Sequence, residues 1–290
     1  MHRRSSWIVA AAGCAIALSA CAPKDNGSKT ASTAAPAAPN VVNVRAVDFA
    51  FEAPATIPAG VTTFKLTNAG TTFHHLVIAR IDSGKTYADA QAAFKKPGPP
   101  PRWLTMVGGP NAPSPNSESN ATIDMAPGEY ALFCVVDLPG GVPHVAKGMI
   151  HPLTVTAATG PTAAMPTADI RVTLFDYNFD LSKPVTAGAH TFEVMTKPGQ
   201  PHELELIKLA PGKTPDDVMK WMGDAAAGKA SGPPPGDGVG GVVPATTGKP
   251  VTFSANFEAG ATYMLICFMP DAKDNKPHFM HGMMQTFKIS

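Results

Sequence analysis

The stretch PGEYALFCVVDLPGGVPHVAKGM, residues 127–149, returns with changes as AGATYMLICFMPDAKDNKPHFMHGM at residues 259–283. Each version starts with a turn, continues as a strand-like run that ends in a cysteine, and then passes through a loop to a histidine and a methionine. Four residues separate the His from the Met in both versions, whereas nine or ten residues separate the Cys from the His. A motif of this length that occurs twice indicates two copies of one structural unit.

The similarity extends through most of the chain at a spacing of about 130 residues. Further matches occur in the same order in both copies: FHHLVIARI (73–81) with PHELELIKL (201–209), GKTYADAQAAF (84–94) with GKTPDDVMKWM (212–222), and GPPP at 98–101 and 232–235. The sequence therefore predicts two homologous domains, residues 41–157 and 169–290, which we call the first and second repeat. Residues 158–168 have the composition of a linker.

Both repeats consist mainly of short runs rich in β-branched and aromatic residues, separated by Gly, Pro and Asn turns. Strands at intervals of 8 to 12 residues predict a β-sandwich or barrel. One helix is expected after each GKT turn, where Asp216, Val218, Met219 and Met222 follow a helical spacing. The Tyr four residues before each Cys is similar to the tyrosine of Greek-key corners. We predict an all-β protein of two Greek-key β-sandwich domains, each with one short inserted helix.

The charge balance argues against a nucleic-acid partner. Lys and Arg number 23 and Asp and Glu number 22, so the chain has no basic excess to attract phosphate. Of the 4 cysteines, two lie in the first 21 residues and the other two stand far apart, which does not suggest a disulfide framework. The glycines of GGPNAP (108–113) and GVGG (238–241) are expected in Pro-rich loops, which do not have the context of a phosphate-binding loop.

The N-terminus, MHRRSSWIVAAAGCAIALSAC, has the order of an export signal over residues 1–21. Two arginines precede an apolar run that is shorter than the roughly 20 residues of a spanning helix. Its end, LSAC, resembles the bacterial lipobox, which implies a lipid on Cys21 and attachment to the membrane through that lipid. The alternative is an ordinary signal peptide followed by a chance Cys. Residues 22–40 are small and polar, as in a flexible linker. We expect a protein of the bacterial cell envelope, facing the periplasm or the outside.

Strand parity indicates which side chains point inward, because alternate residues of a strand face opposite sides of the sheet. His202 shares a face with two leucines, while Glu203 and Glu205 share the other face, which we expect to be solvent. His202 is therefore expected to face the core, and by the repeat alignment so is His74. The same parity places each cysteine on the face of its tyrosine, in the sets Tyr130, Leu132, Cys134 and Tyr263, Leu265, Cys267.

Two imidazoles, a thiolate and a weak axial thioether make a soft trigonal site suited to copper. The doubled pattern resembles a tandem pair of cupredoxins, the blue copper family, and the loop of the first repeat is similar to that of the type 1 site in copper nitrite reductases. The resemblance covers roughly 230 residues and implies up to two type 1 coppers per chain. It places the ligands at His74, Cys134, His144 and Met149, and at His202, Cys267, His278 and Met283.

Other residues depart from the family pattern. Cupredoxins commonly carry Asn after the first His, whereas this chain has His75 and Glu203, and its Cys–His loops are longer than those of small electron carriers. We expect His75 and His151 to be exposed. His281 competes with His278 as a ligand, but the parallel placement of PH and GM in both repeats favours His278.

The pattern leaves several functions open. One is electron transfer through copper to a redox partner that the sequence does not identify, and a variant of it is copper buffering or delivery. Another is a metal-free interaction module that uses the sandwich as a scaffold. Copper oxidases and nitrite reductases carry a His directly before the type 1 Cys, where this chain has Phe133 and Ile266. No His-x-His pair occurs either, so we expect no enzymatic role.

Lipid attachment at Cys21 is directly testable. Because the thioether-linked lipid would be the membrane anchor, the Cys21→Ala variant should move from the membrane fraction to the soluble fraction after cell fractionation. Ser19→Ala is a suitable control, since it leaves the cysteine in place. A variant that stays in the membrane fraction, or an unmodified N-terminus by intact mass, would contradict the anchor.

Overall fold

The strands of the first repeat alternate between buried and exposed residues. Between residues 40 and 47, Val42, Val44 and Ala46 are buried while Val41, Asn43 and Arg45 are exposed, the pattern of a strand with one face on a core. The computed structural model describes residues 37–96, 98–161 and 163–290, so that the predicted signal peptide, Cys21 and most of the predicted 22–40 linker lie outside the described residues. The elements of this repeat are β1 (Asn40–Val47), β2 (Ala50–Glu52), β3 (Thr56–Pro58), β4 (Gly60–Asn68), β5 (Val77–Ile81), α1 (Tyr87–Phe94), β6 (Leu104–Gly108), β7 (Glu118–Met125), β8 (Gly128–Phe133), β9 (Asp137–Leu138), β10 (Val142–Pro143), a 3₁₀ turn (His144–Lys147) and β11 (Ile150–Thr156).

The second repeat follows the same plan. Its elements are β12 (Ile170–Phe175), β13 (Asn178–Leu181), β14 (Gly188–Thr196), β15 (Leu204–Leu209), α2 (Pro215–Ala226), β16 (Gly236–Val242), β17 (Val251–Phe257), β18 (Thr262–Ile266), a 3₁₀ turn (His278–His281) and β19 (Met284–Lys288). Both α-helices begin after the GKT turn with a capping box, in which the Thr hydroxyl and the Asp three residues later satisfy each other's backbone amides. The predicted inserted helices are confirmed.

The described residues form four sheets, of which the smallest pairs only β9 with β10. The largest sheet has eight strands and runs through both repeats in the order β13-β12-β14-β17-β7-β4-β1-β2. Within it, β17 of the second repeat pairs with β7 of the first at Thr252 and Thr122. A five-stranded sheet, β3-β11-β8-β5-β6, belongs to the first repeat, and a four-stranded sheet, β16-β15-β18-β19, to the second. Phe64 of β4 and Leu132 of β8 share one apolar core, so the sheets pack face to face. The predicted fold class is confirmed, whereas the exact domain limits stay a prediction.

The two repeats meet along a short glycine-rich seam. Residues 107–113 of the first pair by isolated bridges with residues 239–245 of the second, and Asn111 N–H donates to Gly241 O at 3.1 Å. Gly240 has φ of +115°, and a Cβ there would lie 2.7 Å from Cβ of Ser119 in the first repeat, while a Cβ at Gly238 would lie 2.4 Å from the Ala112 carbonyl oxygen, so only glycine allows this approach. GVGG therefore lies in strand β16 and not in a loop as expected, and its glycines serve close packing between the repeats.

Glu203 and Glu205 are both buried, with 5% of their surface exposed, so the expectation that they face solvent is wrong. Glu205 Oε2 accepts a hydrogen bond from Ala112 N–H at 3.0 Å, and Glu203 Oε2 accepts one from Asn111 Nδ2 at 3.4 Å. Strand parity correctly placed the two glutamates on the face opposite His202. The polar face, however, is covered by the first repeat, and parity within one strand carries no information about such a neighbour.

Burial changes the protonation of these carboxyl groups. Desolvation raises the pKa of Glu203 to about 7, and desolvation together with the charge of Glu203 raises the pKa of Glu205 well above its ordinary value of 4.5. The folded chain therefore binds these protons more tightly than the unfolded chain does. Their contribution to stability is present at low pH and is lost as the pH rises through the raised pKa values.

Glu205→Gln should remove most of this pH dependence, because Gln keeps an acceptor for Ala112 N–H and has no charge to bury. Chemical unfolding of the metal-free protein should show the variant matching the wild type in mild acid and exceeding it in mild alkali, by about 1.4 kcal/mol for each unit of raised pKa. Glu193→Gln, a surface residue paired with Arg171, is the matched control. A wild type that gains stability over the same pH range relative to Glu205→Gln would refute the interpretation.

Candidate metal centres

Each repeat brings two histidines and a cysteine together in its interior. In the first, His74 Nδ1 lies 3.0 Å from His144 Nδ1, and Cys134 Sγ lies 3.5 Å from the same His144 nitrogen. In the second, His202 Nδ1 lies 3.0 Å from His278 Nδ1, which lies 3.4 Å from Cys267 Sγ. All six side chains are at most 2% exposed. The donor atoms of each group lie within 4.8 Å of one another, which makes both groups candidates for a metal ion.

The strand pairing places these residues. His74 lies just before β5 and Cys134 just after β8, and β5 and β8 are antiparallel neighbours with Val77 opposite Phe133. His144 opens the 3₁₀ turn, whose Val145 N–H donates to Cys134 O at 2.8 Å and so holds the turn against the cysteine. The second repeat repeats this contact with Phe279 N–H and Cys267 O at 3.0 Å. Short loops tied to paired strands therefore set the relative positions of the donors.

The predicted axial methionines return to the same place. Gly148 has φ of +104°, a left-handed turn that sends the chain back so that Cys134 N–H donates to Met149 O at 3.3 Å. Gly282, with φ of +97°, does the same for Met283, whose carbonyl oxygen accepts from Cys267 N–H at 3.2 Å. Both methionine side chains are fully buried. We call His74, Cys134, His144 and Met149 the first centre, and His202, Cys267, His278 and Met283 the second centre.

A carboxylate supports the first histidine of each centre, a feature that the sequence analysis missed. Asp48 Oδ1 lies 2.6 Å from His74 Nε2, and Asp176 Oδ1 lies 2.8 Å from His202 Nε2. An acceptor at Nε2 keeps the proton there and leaves the Nδ1 lone pair free to bind a metal ion. In both repeats the Asp precedes its His by 26 residues, and this repeated spacing is the signal that could have revealed the pair.

Asp48 is itself held in the charged form. Partial burial raises its pKa, but hydrogen bonds from Thr71 and His74 outweigh that effect and lower the pKa to about 2. Thr71 contributes both its backbone N–H, at 3.0 Å, and its hydroxyl, at 2.6 Å, to Oδ2. The carboxylate is therefore ionised and fixed in position at any pH at which the protein would work.

The residues after the first histidines support the cysteine loops. His75 is buried, at 6% exposure, and His151 is half-buried, so the expectation that both are exposed is wrong. His75 Nε2 accepts from Val135 N–H at 2.9 Å, and Glu203 Oε1 accepts from Phe268 N–H at 3.0 Å. In both repeats this residue accepts a hydrogen bond from the amide that follows the cysteine, which fixes the start of the loop. The two repeats thus make the same bracing contact with different side chains.

His281 does not lie in the second centre. Its Nε2 is 3.1 Å from Asp274 Oδ1, and its ring stacks on Tyr177 with centroids 4.9 Å apart. His278 takes the position beside Cys267, in line with the preference drawn from the parallel spacing. Tyr177 also contacts the His278 ring, and Phe49 contacts the His144 ring in the first repeat, at centroid distances of 5.4 and 4.9 Å. An aromatic ring thus covers the second histidine of each centre.

The donor set fits a soft metal ion. Separations of 3.0 to 3.5 Å suit atoms that share one ion at bond lengths of about 2.0–2.3 Å. Desolvation raises the pKa of Cys134 and that of Cys267 to about 12, and it lowers the pKa of His144 to about 4. The imidazoles are therefore neutral and able to donate lone pairs. A cation that enters would displace the thiol proton, because it compensates the buried thiolate charge.

Neither a family model nor a curated protein matches the chain. Among solved structures, reduced auracyanin from Roseiflexus castenholzii is 21% identical, covers 41% of this chain and 99% of its own, and has a TM-score of 0.30. A blue copper oxidase from Nitrosomonas europaea is 14% identical over 87% of this chain and 86% of its own, with a TM-score of 0.26. A Cu-containing nitrite reductase from Thermus scotoductus is 10% identical over 86% of this chain and 61% of its own, with a TM-score of 0.22. Likenesses this distant assign no activity to the chain.

One expectation from the sequence needs correction in view of these matches. We expected no enzymatic role because no histidine directly precedes Cys134 or Cys267. The two solved structures just described that span most of the chain are both enzymes, an oxidase and a reductase. The missing histidines are therefore no ground for classing the chain as a non-enzyme.

Asp48→Asn should weaken metal binding at the first centre only, because it removes the charge that orients His74. Loss of such an outer partner typically lowers metal affinity about 10–100-fold, and competitive copper titration would measure it. The control is Asp169→Asn, which breaks a similar 2.6 Å contact to His190, a residue outside both centres. An equal loss in the control, or at the second centre, would show that the contact to His74 has no special role.

Proposed function

We propose that the chain is a cell-envelope copper protein that transfers single electrons through a type 1 copper ion in each repeat. The observation that supports this most strongly is the repetition of one buried His–Cys–His group, with a buried Met in the same loop, in two repeats that differ at many other positions. A single buried Cys or Met is ordinary core material. Eight donors in two matching sets have no such ordinary explanation.

The donor chemistry favours copper. Imidazole nitrogens with one thiolate and a thioether form the trigonal set that copper takes in electron-transfer sites, and the bound copper would supply a one-electron couple. The protein's own residues supply the rest. Asp48 and Asp176 hold the Nε2 protons of His74 and His202, and the bracing contacts to Val135 and Phe268 keep the cysteines in place. Donors fixed in this way move little when the charge of the ion changes.

Exclusion of water supports the same role. The six donor residues of the two triads are nearly inaccessible, and Phe49 and Tyr177 lie between His144 or His278 and the surface. Both aromatic residues are partly exposed themselves. A redox partner that contacts these rings would come closest to the copper ligands while solvent stays outside.

Anchoring is the sequence-based part of the proposal. The lipid on Cys21 would hold the folded repeats at the membrane surface of a bacterial envelope, with residues 22–40 as a tether. Among the residues that the structure describes, no helix has the length and apolar character needed to cross a bilayer.

The cysteines give the direct test. The wild type, loaded with Cu(II) and dialysed, should retain two coppers per chain and show a thiolate-to-Cu(II) charge-transfer band. Cys134→Ser and Cys267→Ser should each lose one copper and about half the band, because a hydroxyl cannot replace the thiolate. Burial of the hydroxyl should cost about 1–3 kcal/mol in unfolding free energy.

The two single variants serve as controls for each other, since each leaves one centre intact. If copper content stays the same in the double variant, the cysteines are core residues and the proposal is wrong. A wild type that retains no copper would instead favour a metal-free interaction module.

A further inference from the structure

Three buried polar residues connect the two centres across the seam between the repeats. They are His75 in the first repeat, Asn111 in the seam and Glu203 in the second repeat, and none is more than 6% exposed. A buried polar group lowers stability unless it is hydrogen-bonded. A connected set of such groups is therefore stable in only one arrangement, in which every member has a hydrogen-bond partner. This set deserves a functional explanation because both of its ends reach a candidate copper ligand.

At each end a side chain of the set accepts a hydrogen bond from the amide that follows the cysteine. Glu203 N–H donates to Cys267 Sγ at 3.4 Å, and its side chain accepts from Phe268 N–H. In the first repeat the imidazole of His75 accepts a hydrogen bond from Val135 N–H at 2.9 Å. Each end of the set therefore contacts the residue bonded to its cysteine, and the Glu203 end also contacts the sulfur of Cys267.

Asn111 joins the two ends. Its Nδ2 donates to Glu203 Oε2 at 3.4 Å. On the other side Leu76 N–H, bonded to His75, donates to the carbonyl oxygen of Pro110, which is bonded to Asn111, at 3.0 Å. The residue is held on several sides: Nδ2 also donates to Leu204 O at 3.2 Å, and Ser119 Oγ donates to Asn111 O at 2.7 Å. A single rigid residue thus closes a continuous path of covalent and hydrogen bonds from Cys134 Sγ to Cys267 Sγ.

We propose that His75, Asn111 and Glu203 form a bridge that passes single electrons between the two copper centres. The proposal rests on the proposed function. In the step, one electron leaves Cu(I) in one centre and reduces Cu(II) in the other, while no bond is made or broken and no net proton moves. Electronic coupling between the two sulfur atoms is stronger through covalent and hydrogen bonds than it would be through an apolar gap of equal width. The chain would then work as a two-centre relay and not as two independent carriers.

The seam itself offers a matched control. Ser114 Oγ accepts from Gly238 N–H at 3.0 Å, so it is a polar contact between the same two repeats that reaches neither cysteine. Asn111→Leu removes the bridge with a side chain of similar size, and Ser114→Ala removes this control contact. A change seen with Asn111→Leu but not with Ser114→Ala is therefore due to loss of the bridge and not to a general weakening of the seam.

The first experiment measures electron exchange in the copper-loaded protein. Met149→Gln as a common background shifts the potential and spectrum of the first centre, because the axial ligand tunes both, and so makes the centres distinguishable. After a light pulse has reduced part of the copper, relaxation between the centres should be several-fold slower with Asn111→Leu added. Ser114→Ala should leave the relaxation rate unchanged. Equal rates in all three proteins would overturn the bridge and leave the copper function intact.

The second experiment needs no redox chemistry. In the Cys134→Ser background, Zn²⁺ can bind only the second centre, and the Val135 amide resonance reports the far end of the bridge. Zinc should shift this resonance, the shift should vanish with Asn111→Leu, and it should persist with Ser114→Ala. A shift that survives Asn111→Leu contradicts the path. Failure of the wild type to take up copper overturns the proposed function itself, and copper analysis reveals it before either variant is made.

Discussion

In each repeat two neutral imidazoles and a thiol lie close together in a dry interior, and the neighbouring residues are arranged around this contact. Nδ1 atoms 3.0 Å apart, beside a sulfur at 3.4 or 3.5 Å, form a cluster of electron-pair donors close enough to share one cation. Desolvation favours the uncharged forms, which is why the histidine pKa values fall and the cysteine pKa values rise. The surrounding carboxylates, amides and aromatic rings then serve to keep the donors fixed and dry.

The same requirement explains why the two repeats are joined so closely. Glu203 supports the cysteine loop of the second centre, and a buried carboxylate needs further hydrogen bonds, which Asn111 of the first repeat supplies. The glycines at 238 and 240 make room for that approach, since side chains there would collide with Ala112 and Ser119 of the first repeat. Support for one metal centre and contact between the repeats are therefore parts of a single polar network.

Much of this could be predicted from the sequence, because the repeat supplied an internal alignment. Strand periodicity gave the fold class, and equal His–Met spacing in both copies selected His278 over His281. The expectation that Glu203 and Glu205 face solvent was wrong. Strand parity places them on the face opposite His202, but it cannot show that the other repeat covers that face. Asp48 and Asp176 were missed because single acidic residues in strand-rich segments look like ordinary surface groups. Nothing in the sequence marks Asn111 as a site residue, because its role depends on contacts made across the seam.

We propose that the buried triads are copper ligands and not a polar core. X-ray absorption at the copper edge of the loaded protein tests it most directly, because it reports the atoms bound to the ion without any substitution. Copper held by a triad should have one short bond to sulfur and two bonds to imidazole nitrogen, at about 2.0–2.3 Å. Copper surrounded only by oxygen and nitrogen atoms, with no sulfur neighbour, would contradict it.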